Sequence, residues 1–200
     1  MRMFFCAVVL LLTLQGLHAQ KGKNPYKFGD IKPEDFSPAL HSFDSTADAV
    51  VLADIGNSYF RESNEGWFVM VFERHQRIKV ITKSGMDAAN FSIQQYKSGS
   101  AEEKLLKLKA STFNLEGDKV VESKLLEKDI FKDKLDKNYS LTKFGLPNVK
   151  EGSILEVDYI IESDFFQFLR SWNFQGTYPR VHTEYTAVIP EFFNYLVYGQ

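Results

Sequence analysis

The stretch "ILEVDYIIE", residues 154–162, constrains this chain more than any other. Leu155, Val157, Tyr159 and Ile161 alternate with Glu156, Asp158 and Glu162. A period of two puts one set of side chains on each face of a strand, whereas a helix would need a period near 3.6. The same alternation recurs in "RVHTEYTAVI", where Val181, Thr183, Tyr185, Ala187 and Ile189 oppose Arg180, His182 and Glu184. It recurs again in "EKLLKLKASTFNL", with Leu106, Leu108 and Ala110 set against Lys107, Lys109 and Ser111. The expected architecture is therefore an all-β, antiparallel β-sandwich of eight to ten strands with one or two short helices.

The longest apolar run, "WFVMVFERHQRIKVIT", begins at Trp67. Its first half is apolar on both faces, as in a strand buried on both sides. Beyond Phe72 it alternates, with Arg74, Gln76, Ile78 and Val80 on one face and Glu73, His75, Arg77 and Lys79 on the other. The second set is expected to be wet. His75→Ala should then cost within about 0.5 kcal/mol, as at surface sites. Phe72→Ala should cost roughly 3–5 kcal/mol, as in a core. "EGD" at 116–118 marks a hairpin turn, and Pro33 in "KPEDF" opens a single helical turn. "EKDIFKDKLDK" reads as a short helix or an irregular crossover, "SWNFQG" as a further strand, and "FNYLVYGQ" as the start of another.

The first residues, "MRMFFCAVVLLLTLQGLHAQ", have a single Arg, an apolar stretch from Met3 to Leu14, and Ala19 at the end of Leu17-His18-Ala19. That is the pattern of a secretory signal peptide over 1–19, cleaved after Ala19 and too short to span a bilayer. Residues 20–30 are expected to be a flexible leader, and 31–200 the sandwich domain. Its C-terminal boundary is expected beyond Gln200, because the sequence stops inside an apparent strand. The expected location is exported, in the periplasm or cell exterior, with no transmembrane segment. The lone cysteine is Cys6. The exported part would thus have no disulfide, thiolate nucleophile or thiolate metal site. A formal charge of −2 and a pI near 6.1 give no electrostatic footprint for nucleic acid.

Glu73 and His75 project to one side of a strand, roughly 7 Å apart, and His182 and Glu184 repeat the arrangement. Two such pairs on adjacent strands could form a His/carboxylate metal site. Alternation alone explains both as wet faces making cross-strand ion pairs of about 0.2–1 kcal/mol each. No metal and no cofactor are expected. His41, His75 and His182 leave a Ser-His-Asp triad formally open, but none lies in a G-x-S-x-G context. The segment "FFQFLRSWNFQGTYPR" gathers aromatics near Gly and Pro. Trp172, Phe174 and Tyr178 are candidate contacts for a glycan or a peptide. Alternatively, these rings plug one end of the sandwich or meet a following domain.

Five stretches in order, "KFGDIKPEDF", "DAVVLADIGNSYF", "ERHQRIKVITKSGMDAANFSI", "LPNVKEGSILEVDYIIES" and "WNFQGTYPRVHTEYTAVIPE", resemble a β-rich domain of secreted bacterial proteins. In those proteins it stands at the N-terminus, ahead of a transglutaminase-like (papain-fold) domain. The resemblance covers about residues 25–200. It implies that the Cys-His-Asp chemistry belongs to the downstream domain, which would be this segment's partner. No catalytic residue carries over, and the implied role is a non-catalytic platform for assembly or substrate positioning. A stand-alone glycan- or peptide-binding module is the alternative. A hydrolase using scattered carboxylates or the His/Glu pairs is a weaker one.

Overall fold

The computed structural model describes residues 26–38, 46–63, 66–193 and 195. The expected signal peptide, Cys6, His41 and most of "FNYLVYGQ" lie outside the described residues. The all-β expectation holds. Among the described residues there are nine strands: β1 (Ala49–Glu62), β2 (Phe68–Val80), β3 (Asn90–Ser98), β4 (Ala101–Glu116), β5 (Lys119–Lys124), β6 (Ile130–Lys134), β7 (Tyr139–Gly145), β8 (Ile154–Ser163) and β9 (Thr183–Ala187). Short 3-10 turns occur at Pro33–Phe36, Ser84–Ala89, Glu127–Asp129 and Glu191–Phe193.

The strands form one hydrogen-bonded sheet in the order β6-β7-β3-β4-β8-β2-β1-β9, with β5 pairing to β4. The link between β3 and β4 is slight: only Lys97↔Glu102 and Ser98↔Ala101 pair, beside a two-residue turn. There the sheet folds back on itself. Ile93 of β3 and Phe144 of β7 share a core with Val51, Phe72, Ile78, Leu155, Val157 and Ile161 from the β1-β2-β8 layer. The hairpins at Gly99 and Gly117 have Gly at the first turn position with φ of 62° and 61°. That is the geometry of a type II′ turn, which an L-residue with a Cβ resists.

Several local readings differ from the sequence expectation. "EKDIFKDKLDK" forms a 3-10 turn and then strand β6, which pairs with β7. A helix there would need a wider apolar stripe than Ile130, Phe131 and Leu135 provide. In β4 a register shift falls between Leu105 and Lys107, so Leu105 and Leu108 pack on the core while Leu106 is 51% exposed. Simple alternation through Leu106 missed that bulge, because one extra residue inverts the faces beyond it.

"SWNFQG" is not a strand. β9 runs parallel to β1, and β8 and β2 are each antiparallel to their next neighbour toward β1. β8 and β9 therefore point the same way. Such a pair needs a crossover of a dozen or more residues. Residues 164–182 are that crossover, passing over β2 and β1.

Candidate functional site

The faces of β2 and β8 follow from alternation plus register. His75 stands opposite Asp158, and Arg77 opposite Glu156. All four side chains project away from the Phe72/Leu155 core. The expected partition of faces is therefore correct, but this face is not wet. His75 is 3% exposed, Arg77 6%, Lys79 2% and Glu156 fully buried.

The cover is the N-terminal segment, residues 26–37. Glu156 Oε1 accepts from Arg77 Nε at 2.8 Å, and its Oε2 accepts from the Gly29 backbone N–H at 2.6 Å. Arg77 Nη2 donates to the carbonyls of Asp30 (3.2 Å) and Lys27 (3.4 Å). Lys79 Nζ donates to the carbonyl of Ser37 at 2.7 Å. Phe28, Ile31 and Phe36 pack on Phe113 and Ile154 beside this array. Charged side chains on the sheet thus satisfy backbone groups of the segment, and the segment removes those charges from water. Residues 26–30 of the expected leader are accordingly part of the fold.

His75 is held from three directions. Its Nδ1 lies 2.5 Å from Asp158 Oδ1, and its Nε2 lies 3.6 Å from Glu156 Oε1. The ring of Tyr26 stacks on it at 6.2 Å and 15°. Nε2 is buried with no hydrogen-bond partner, so it has no hydroxyl to activate in this arrangement. Burial makes Lys79 easier to deprotonate, and the charge of Asp35 partly opposes this.

The inner face carries a second ionic cluster. Asp54 is fully buried and accepts from Arg74 Nε and Nη2, each at 2.8 Å, and from Arg180 Nη1. The Arg74 guanidinium sits 4.9 Å from the centre of the Trp172 ring. Burial works against the Arg74 charge, yet the hydrogen bonds to Asp54, the charges of Tyr159 and Asp54, and a bond to Tyr159 raise its pKa above the ordinary value.

The three aromatic candidates separate. Trp172 stacks on Tyr185 at 5.3 Å and 11°, packs against the core, and lies directly over Gly56. The half-buried ring thus packs between the crossover and β1. Phe174 is 55% exposed, and with Tyr178 it lines an open cleft of about 720 Å³ that also touches Asp48, Arg180 and Thr183. Burial, followed by the charges of Asp87 and Asp48, raises the Tyr178 pKa.

The two His/Glu pairs do not meet, because β1 lies between β2 and β9. His182 approaches Glu184 at 3.4 Å, and Tyr59 Oη donates to Glu73 at 3.0 Å. Tyr26 lies near both histidines, 6.1 Å from His182. No group of three or more His, Cys, Asp or Glu among the described residues is placed to hold a metal ion.

Sequence reasoning missed Asp54, Arg180 and the segment from Tyr26 to Ser37. The signal for the segment was present: Phe28, Ile31 and Phe36 are apolar residues in an otherwise largely polar stretch.

No protein-family model matches the chain, and no curated protein does. Among solved structures, it is similar to a candidate protease from Parabacteroides distasonis, at 12% identity and a TM-score of 0.44. The match covers 58% of this chain and 23% of that one, so this chain spans less than a quarter of that protein's length. A likeness that low does not define a shared fold.

Proposed function

We propose that the chain is a non-catalytic accessory domain of an exported transglutaminase-like protein, and that it acts as a scaffold or substrate-positioning platform for a downstream domain. The observation that carries this reading is an aromatic surface where β1 ends, β2 begins and the last described residues lie. Phe193 packs on Phe60 (4.8 Å), Phe68 (5.3 Å) and Phe166 (5.5 Å), and Phe68 also meets Phe192 at 5.3 Å. Phe68 is 42% exposed and Phe192 62%. Clustered exposed aromatics of this kind mark a surface that meets another protein surface.

Support also comes from the side chains with chemical potential. His75, Glu156 and Asp158 are engaged in closing the N-terminal segment, and Asp54 in binding two arginines. Among the described residues no helix is long and apolar enough to cross a membrane. The export reading rests on residues 1–19.

The test begins with the reading frame beyond Gln200. A papain-fold Cys and His should be encoded there. When this chain is mixed with that separately purified domain, the two should associate, and Phe68→Ser with Phe192→Ser should weaken the association at least about tenfold, or 1.4 kcal/mol. A frame that stops at Gln200, or turnover of a substrate by this chain alone, would overturn the reading.

A second reading is a glycan- or peptide-binding module. The observation favouring it is the cleft beside Phe174 and Tyr178. Under it, Phe174→Ala abolishes binding on a glycan or peptide array and leaves the melting temperature unchanged.

A further inference from the structure

The N-terminal segment lies on the sheet without joining it. Among the described residues, the backbone–backbone hydrogen bonds of residues 27–36 stay inside the segment: Asp30 N–H to Lys27 (3.1 Å), Asp35 N–H to Lys32 (3.0 Å) and Ser37 N–H to Glu34 (3.0 Å). Its polar ties to the sheet run from strand side chains to its backbone. Glu156 takes the Gly29 N–H, Arg77 takes the carbonyls of Lys27 and Asp30, and Lys79 takes those of Asp35 and Ser37. The charge of Asp35 adds an attraction to Lys79. Three apolar anchors complete the contact. Phe28, Ile31 and Phe36 pack with Phe113, Ile154 and Val120, and Lys109 Nζ sits 3.9 Å from the centre of the Phe28 ring.

This apolar cluster is separate from the core between the layers, which holds Phe72, Leu155 and Ile161. Of the twelve residues from Tyr26 to Ser37, Ile31 alone is buried. Lifting the segment exposes the three anchors but also returns Arg77, Lys79 and Glu156 to water. The hydration they regain offsets much of the attraction they lose. The pairing of β2 with β1 and β8, and of β8 with β4, uses no residue of the segment. Opening the segment therefore costs less than unfolding the sheet, which is the condition for a sub-global opening.

We infer that residues 26–37 are a detachable strap: they lift as a unit while the sheet stays folded, and the face they leave accepts the same segment from a second copy of the chain. The face addresses backbone groups and the spacing of Phe28, Ile31 and Phe36, so the contacts are the same whichever copy supplies them. Exchange of a terminal segment between copies needs no new contact. Eleven residues, 38–48, separate Ser37 from β1, a length that reaches about 36 Å when extended. A chain's own strap competes with an incoming one, so the face is available only in the open fraction of molecules. The inference does not depend on the accessory-domain reading, which concerns the Phe68/Phe192 surface.

The test uses the purified chain and a fluorescent peptide of residues 26–37. Hydrogen exchange in low urea should show the Gly29 amide opening with a lower free energy and a smaller urea dependence than the amides of β8. A double variant, Phe28→Ser with Ile31→Ser, should keep the protection of β8 and lose that of Gly29. By anisotropy, the peptide should bind this variant at least about tenfold tighter than the parent, because the weakened strap no longer competes. A peptide carrying the same two substitutions should bind neither. Concentrated parent protein taken through low urea and back should contain a dimer by light scattering, and excess peptide should suppress it. The double variant should stay monomeric. Gly29 exchanging with the free energy and urea dependence of β8, a double variant without a folded sheet, no peptide binding or equal binding to variant and parent, or a parent that stays monomeric would overturn the inference.

Discussion

Arg77 and Glu156 face each other across β2 and β8, and neither has access to water. A pair in this position contributes little net attraction, because both charges have lost hydration. Removing one member is another matter. Arg77→Ala leaves a buried carboxylate with the Gly29 amide as its hydrogen-bond donor and His75 Nε2 at 3.6 Å, and the expected loss is about 3–5 kcal/mol by urea unfolding. His75→Ala is expected to cost about 1–3 kcal/mol, since it strips a partner from Asp158 and opens the space beneath Tyr26. A value within about 0.5 kcal/mol, typical of a surface site, would show that the ring is wet after all. Gly56 gives a third residue-scale outcome. A Cβ there would lie 2.5 Å from the Trp172 ring, so Gly56→Ala should cost about 1–3 kcal/mol and shift the tryptophan fluorescence. Tyr59 sets a pH limit. Burial, then the charge and hydrogen bond of Glu73, push its pKa from 10.0 up to about 12. A raised folded pKa means that the stabilisation is complete below pH 10.0 and is lost as pH rises toward about 12. Tyr59→Phe should flatten that alkaline fall in a pH series of melts.

At the scale of elements, alternation identified β2, β4, β8 and β9 and divided the β2 and β8 side chains correctly between two faces. It did not reveal which polar face lies inside. The cover for Glu156, Arg77 and Lys79 comes from residues 26–37, more than forty positions away in sequence, and period-two reasoning is local. The aromatic segment shows the same limit. Trp172, Phe174 and Tyr178 read as one group, but a crossover over β2 and β1 turns Trp172 inward and leaves Phe174 out. Trp172→Ala is accordingly expected to cost about 3–5 kcal/mol of stability, measured by denaturant unfolding. A fully stable Trp172→Ala protein that had lost a ligand would instead place the ring in a binding surface. Removing residues up to Ser37 should likewise lower the melting temperature, since Glu156 and Lys79 would lose their backbone partners.

The whole molecule is a sheet folded at a two-pair corner, with a hydrophobic core between its layers and a charged face outside one of them. That face holds a histidine, two carboxylates and an arginine close together, a set that in an open cleft would invite a catalytic reading. Here the chain's own N-terminal segment closes it, and the side chains hold the segment down. The accessory-domain proposal depends on this division of labour: inward chemistry for stability, exposed aromatics for partners. The most direct test is deuterium exchange at the imidazole C2 position, followed by mass spectrometry on the folded protein. His182, whose side chain is 41% exposed, should exchange readily, while His75, at 3%, should lag far behind it. Equal rates at the two rings would mean that the segment does not close the face, and the structural role assigned to the cluster would fall.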